Sequence, residues 1–212
     1  MNLPTKITIT RIVAIASMII ALFVMSFFHF DTPKLGNTNI NLVFLILCVF
    51  FLLASFTDFL DGYLARKNNQ VTDLGKFLDP VADKLLVNSM VIFLIAPTFF
   101  APYASEQILT FNVWCAIILI GRDIVVDALR FIAAQKKIVI AANIFGKAKT
   151  VLQMVAISFV LLNGFPFNYF DSGWPAGLHI TDFIVYIATA VSLLSGIIYV
   201  IQNRQVFKDT KK

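Results

Sequence analysis

Apolar positions fall into six long runs along the chain, separated by short polar connections. The runs are roughly Ile12–Phe30, Ile40–Thr57, Val81–Phe99, Ile108–Phe131, Thr150–Leu162 and Thr181–Ile201. A helix needs about 20 mostly apolar residues to cross the hydrocarbon core of a bilayer. All but the fifth come close to that length, and the fifth helix is expected to begin earlier, near Phe145. The second is expected to run past its apolar part to about Arg66. Gly36-Asn37, Ala96-Pro97, Gly164-Phe165-Pro166 and Trp174-Pro175 mark turns in or beside the connections. Ahead of the first run, NLPTKITITR mixes apolar and basic residues with Pro4 near its start. It reads either as a brief amphipathic helix along the interface or as a charged anchor. The first run ends in bulky FVMSFFHF with no small-residue cleavage site, which argues against a cleaved signal peptide. The pattern predicts an all-α integral membrane protein: six transmembrane helices, a short N-terminal interfacial segment, and a single membrane-embedded domain over residues 1–212.

Composition agrees. Hydrophobic residues make up 59% of the chain and charged ones only 14%, against about 25% charged in a soluble domain. The net charge of +5 does not point to nucleic acid, because the basic residues sit at the ends of apolar runs rather than on one soluble face. Of the 17 lysines and arginines, Lys34 alone falls in the first, third or fifth connection. The positive-inside rule then puts both termini and the second and fourth connections on the cytoplasmic side. Cys48 and Cys115 lie inside apolar runs and read as buried small hydrophobes.

Residues 58–84, DFLDGYLARKNNQVTDLGKFLDPVADK, are the exception to the apolar pattern, with five acids between two hydrophobic segments. On a helix turning about 100° per residue, Asp58, Asp61, Gly62 and Ala65 share an arc of roughly 100°. Gly75, Asp79 and Asp83 are spaced by four and form a second stripe. RKNNQVTDLG makes the turn between them, so the stripes are expected to face each other at the membrane surface. Asp73 lies outside both stripes and is expected to be dispensable. Four carboxylates gathered in one place repel unless cations neutralise them. Oxygen ligands without His or Cys select magnesium, manganese or calcium, and paired metals suit displacement at phosphorus. The small residues leave room for a phosphate or nucleotide, and Arg66 is able to hydrogen-bond phosphate oxygens in pairs. A divalent-cation transporter is the alternative, since acids in membrane segments often mark ion pathways. Transport sites typically lie near the midplane, however, and no apolar run carries an acid near its centre except Asp123 and Asp127.

The pattern Asp58-x2-Asp61-Gly62-x2-Ala65-Arg66-x8-Gly75-x3-Asp79-x3-Asp83 resembles the signature of the CDP-alcohol phosphatidyltransferases at every fixed position. The resemblance implies six transmembrane helices, a homodimer, a cytosol-facing polar cavity, and displacement of CMP from a CDP-linked lipid or alcohol by an acceptor hydroxyl. It implies that Asp58, Asp61, Asp79 and Asp83 hold two ions, Mg²⁺ or Mn²⁺. Asp83 would also act as general base, and Asp58, Gly62, Ala65, Arg66 and Gly75 would receive the CDP part. Three further features resemble the branch of the family that takes CDP-diacylglycerol and sn-glycerol 3-phosphate and forms phosphatidylglycerophosphate. They are the opening NLPTKITITR, the fuller GYLARKNNQVTDLGKFLDPVADKLL, and GKAKT followed by VLQM at Gly146–Met154. Inositol phosphate, serine or phosphatidylglycerol as acceptor is the alternative within the family.

A phosphorylated acceptor needs its own cations. Arg122, inside the fourth apolar run, is expected to face the cavity, with Asp123 or Asp127 orienting it. Lys147 and Lys149 are further candidates, with membrane-surface anchoring as their alternative, and Arg11 either reaches the same phosphate or anchors the first span. Lys136 and Lys137 read as surface anchors. Two departures from the family pattern stand out. Asp123 follows Arg122 where many such enzymes have glutamate. IVAIASMII lacks the proline often found early in the first span, which should leave that helix straighter.

Overall fold

Among the described residues, four of the six long helices begin where a side chain takes over a backbone amide that the helix itself leaves without a partner. The computed structural model describes residues 3–28, 33, 35–36, 40–67, 72–96, 109–136, 144–171, 173–175 and 177–207, excepting the side chains of Leu3, Pro4, Phe59, Asp61, Leu64, Ala65, Arg66, Asp73, Lys76, Ile144 and Phe145. The long helices are α1 (Leu3–Phe28), α2 (Leu42–Lys67), α3 (Asp73–Ile95), α4 (Val113–Gln135), α5 (Ile144–Leu161) and α6 (Ile180–Gln202). Asn41 caps α2 through Val43 N–H, and Thr72 caps α3 through Gly75 N–H. Asn112 caps α4 through Trp114 N–H. Before α6, Asp182 accepts from His179 N–H, and Asp171, buried in the single turn Asn168–Asp171, accepts from Ile180 N–H at 2.8 Å. No strand occurs among the described residues.

The helices group into two compact units. Met1–Thr110 with Ser158–Pro166 form one, and Phe111–Ile157 with Phe167–Lys212 form the other. In the first, α1 packs against α3 and α2, and α2 against α3. In the second, α4 packs against α6, and the 3-10 turn Arg204–Phe207 packs back on α4. Val126, Leu129, Ala133, Tyr199 and Val206 form an apolar cluster there. Arg130 lies over the Tyr199 ring and donates to its hydroxyl, and Lys136 donates to the Val206 carbonyl.

The packed faces follow the helical period, and their chemistry is inverted relative to a water-soluble protein. On α1 the buried positions are Thr5, Thr8, Arg11, Ile15, Met18 and Leu22, while Phe23, Phe27 and Phe28 are exposed. On α6, Thr181, Thr189, Ser192 and Ser195 are buried, while Phe183, Ile187, Leu194 and Ile201 are exposed. A chain that hides arginine and threonine and displays phenylalanine and isoleucine is arranged for an apolar solvent. Among the described residues, two helices, Thr5–Phe28 and Ile180–Gln202, are long and apolar enough to cross a bilayer, and Leu42–Asp58 is a shorter apolar helix. α4 carries more charge, with Arg122, Asp123, Asp127 and Arg130.

Two sequence expectations change. NLPTKITITR is not a separate interfacial element, because α1 begins at Leu3 and continues to Phe28. Nothing between Thr10 and Ile12 breaks a helix, and Pro4 sits in the first turn, where its missing N–H has no helical partner to lose. The third helix begins at Asp73, inside the stretch RKNNQVTDLG read as a turn, because Thr72 supplies the cap. Asp73 therefore opens α3 instead of lying in a turn; its side chain, like residues 68–71 of the connection, lies outside the described set. Other expectations hold. α2 extends to Lys67, α5 starts at Ile144, and Gly36 and Gly164 adopt positive φ at their turns.

Candidate active site

An acidic cluster forms in the first unit, where α1, α2 and α3 meet. The buried stripe of α2 runs Phe44, Leu47, Phe51, Ala54, and the next position at that spacing is Asp58. On α3 the stripe Leu86, Met90, Leu94 continues backwards through Ala82 to Asp79 and Gly75. The apolar periodicity that packs the helices thus also turns the aspartates inward. α1 meets them with polar residues. Arg11, whose side chain is 3% exposed, pairs through Nη1 with Asp58 Oδ1. Thr8 Oγ1 donates to Asp79 Oδ1 at 2.8 Å. Thr5 and Thr72 share a hydroxyl hydrogen bond of 2.9 Å. A Cβ on Gly75 would come within 3.1 Å of Thr72 Oγ1, so the glycine keeps the cap and this hydroxyl pair in place.

Removing a guanidinium from water costs several kcal/mol unless a counter-charge is at hand, and Asp58 supplies it. Arg11 is therefore part of the acidic cluster rather than a surface anchor. Asp83 is half-buried one turn beyond Asp79, and Gly62 is half-buried on α2. The side chains of Asp61, Ala65 and Arg66 lie outside the described set, although their backbone belongs to α2. Among the described residues, no three His, Cys, Asp or Glu side chains form an ion-binding group, a comparison that leaves out Asp61. The donor chemistry fits a hard dication, because the carboxylates of Asp58 and Asp79 already draw a cation and a hydroxyl proton toward them.

A basic cluster forms in the second unit, on α4, α5 and α6. The buried stripe of α4 runs Ala116, Leu119, then Val126, Leu129, Ala133, and Arg122 and Asp123 fill the gap between Leu119 and Val126. Asp123 accepts from Arg122 Nη1 at 3.0 Å and from Lys149 Nζ at 2.7 and 2.8 Å. Arg122 Nη2 donates to Ser195 Oγ at 2.8 Å. Lys149 is 5% exposed and Gln153, one turn along α5, is 2% exposed. Of the two aspartates expected to orient Arg122, Asp123 does so. Lys147 is exposed, because two residues from Lys149 it points to the other side of α5; the structure does not bring it to this cluster.

Sequence reasoning assigned no role to Thr5, Thr8, Thr72, Ser195 or Gly196. The threonines left a signal, since Thr5, Thr8 and Arg11 continue the 3–4 spacing of Ile15, Met18 and Leu22. Ser195 left none, being one small residue inside an apolar run.

Comparison with known proteins places this arrangement. The CDP-alcohol phosphatidyltransferase family model matches residues 1–198, and the chain belongs to that family. Its relatives include a Bacillus subtilis protein named CDP-diacylglycerol–glycerol-3-phosphate 3-phosphatidyltransferase, 35% identical over 98% of this chain and 97% of the relative. A Rickettsia bellii protein of the same name is 34% identical over 93% of each chain. An Arabidopsis thaliana protein, numbered 2 under that name, is 30% identical over 93% of this chain and 78% of its own.

Proposed function

We propose that the protein transfers the phosphatidyl group of CDP-diacylglycerol to sn-glycerol 3-phosphate, giving phosphatidylglycerophosphate and CMP. The observation that carries the choice of acceptor is the Arg122–Asp123–Lys149 cluster, in which two cations, one buried and one half-buried, surround one carboxylate. Its surplus positive charge in a lipid-adapted protein suits a phosphorylated acceptor, and serine would leave it unanswered. The related proteins, named for this reaction, support the same reading.

In this reading Asp58, Asp61, Asp79 and Asp83 hold Mg²⁺ or Mn²⁺, most simply two ions. Bound there, the ions supply charge neutralisation at the pyrophosphate and keep Asp83 ionised. Gly62, Ala65, Arg66 and Gly75, with Asp58, receive the CDP portion. Asp83 takes the proton of the acceptor's primary hydroxyl as its oxygen bonds to the phosphatidyl phosphorus. The bond from that phosphorus to the bridging oxygen breaks, and CMP leaves with it. Arg122 and Lys149 hold the acceptor's phosphate, with Asp123 fixing both cations. The chain crosses the membrane several times as a homodimer, with both termini and the site on the cytoplasmic side, where soluble acceptor and metal are available; the basic ends of the helices support this orientation.

The test is CMP release by purified protein from CDP-diacylglycerol in mixed micelles. Release should require Mg²⁺ or Mn²⁺ together with glycerol 3-phosphate, and mass spectrometry should show phosphatidylglycerophosphate. Metal flux in vesicles without CMP release would indicate a transporter instead. Release with serine, inositol phosphate or phosphatidylglycerol in place of glycerol 3-phosphate would move the protein to another branch of the family.

A further inference from the structure

Arg122 does not hold its position through Asp123 alone. Its Nη2 donates to Ser195 Oγ at 2.8 Å, and Ser195 is 1% exposed on the face of α6 that packs on α4. The neighbouring residue shapes the path of the same side chain. A Cβ built on Gly196 would lie 2.7 Å from Arg122 Cγ and 3.5 Å from Nε. Real side chains essentially never approach so closely, so the aliphatic stem of Arg122 lies where only glycine permits it. Gly196 is helical and needs no positive φ. Its lack of a side chain therefore answers a packing demand rather than a backbone one.

We propose that Ser195 and Gly196 are positioning residues for the acceptor: Gly196 admits the stem of Arg122 across α6, and Ser195 fixes the direction of its guanidinium. This rests on the reading of Arg122 as the acceptor-phosphate group. One Nη1 bond to Asp123 leaves the guanidinium plane free to turn about that contact. A second bond from Nη2 removes this freedom and presents the remaining donors in one orientation. The stem also borders an apolar groove of about 420 Å³, together with Ile118, Val125, Gly196, Ile197 and Val200. A methyl group at residue 196 thus has room to push the stem sideways, which moves the charge without demanding that α4 and α6 separate.

The experiment compares KM for glycerol 3-phosphate and KM for CDP-diacylglycerol in the wild type and in Arg122→Ala, Ser195→Ala, Gly196→Ala and Ser192→Ala. Ser192 lies one turn before Ser195, is fully buried, and its hydroxyl has no partner among the described residues, so it controls for loss of a buried hydroxyl on the same helix. Ser195→Ala and Gly196→Ala should each raise the glycerol 3-phosphate KM by about tenfold, the scale of one lost charged hydrogen bond, with the CDP-diacylglycerol KM little changed. Ser192→Ala should behave as wild type. If Arg122→Ala raises the acceptor KM but neither Ser195→Ala nor Gly196→Ala does, the positioning role is wrong while the acceptor reading stands. Equal rises in both KM values, or a rise in Ser192→Ala matching that of Ser195→Ala, would show a general packing effect and overturn the proposal. If Arg122→Ala itself leaves the acceptor KM unchanged, the acceptor reading falls and this inference with it. Should Gly196→Ala fail to fold, Ser195→Ala decides the matter alone.

Discussion

The two clusters are electrical opposites built by the same device. In the first unit, carboxylates on α2 and α3 are steadied by a cation and a hydroxyl from α1: Arg11 on Asp58, and Thr8 on Asp79. In the second, cations on α4 and α5 are steadied by a carboxylate and a hydroxyl: Asp123 on Arg122 and Lys149, and Ser195 on Arg122. Each cluster sets one counter-charge and one hydroxyl against its like charges, which answers part of their desolvation cost while leaving net charge for a ligand. The acidic cluster keeps affinity for cations and the basic one for anions. The reaction proposed here needs both, a metal-pyrophosphate centre and a seat for a phosphorylated acceptor.

That contrast breaks most sharply at Asp83. Asp83→Asn should lower turnover by about a thousandfold, the scale of a lost general base, while CDP-diacylglycerol still binds. Single-turnover CMP release and a CDP-lipid binding assay check this, and substantial turnover would remove the base assignment. A smaller effect sharpens the role of α1. Thr8→Val keeps shape but removes the donor to Asp79, so metal affinity should fall by about tenfold. Titration with Mn²⁺ followed by electron paramagnetic resonance reads this without turnover, and the glycerol 3-phosphate KM at saturating metal should not move. The smallest effect belongs to Lys147. It is exposed on the far side of α5 from Lys149, so Lys147→Ala should change the acceptor KM by less than about twofold, as for most exposed charges. A large rise would place Lys147 in the acceptor site after all.

The clusters also differ in how plainly the sequence announces them. The four aspartates fall within one short window in helical register, and helical spacing alone predicts two stripes. The structure adds what lay far away in the chain, Thr8 and Arg11, 71 and 47 residues from their partners. Their own i, i+3 spacing with Thr5 was legible, but pairing them with particular aspartates required the packing of α1 on α2 and α3. The basic cluster was half legible. An arginine inside an apolar run demands a partner, and Asp123 beside it was a natural choice. Lys149 was a candidate on charge alone, and only the rotation of α5 separates it from Lys147. Ser195 and Gly196 carried no signal, because a serine and a glycine in an apolar helix look like ordinary small residues until the chain 73 positions away is laid against them. The starts of α1 and α3 lie ahead of their apolar runs for a similar local reason. Thr72 and the uninterrupted backbone after Pro4 extend α3 and α1 beyond their apolar parts, since helix ends follow caps while apolar runs follow solvent.

The division of labour between the two clusters is tested most directly by measuring both substrate KM values for Arg122→Ala. Loss of charge-assisted hydrogen bonds to a phosphate predicts a rise of about 10- to 100-fold in KM for glycerol 3-phosphate, with KM for CDP-diacylglycerol within about twofold of wild type. An equal rise for both substrates, or no change for glycerol 3-phosphate, would contradict the assignment of the basic cluster to the acceptor.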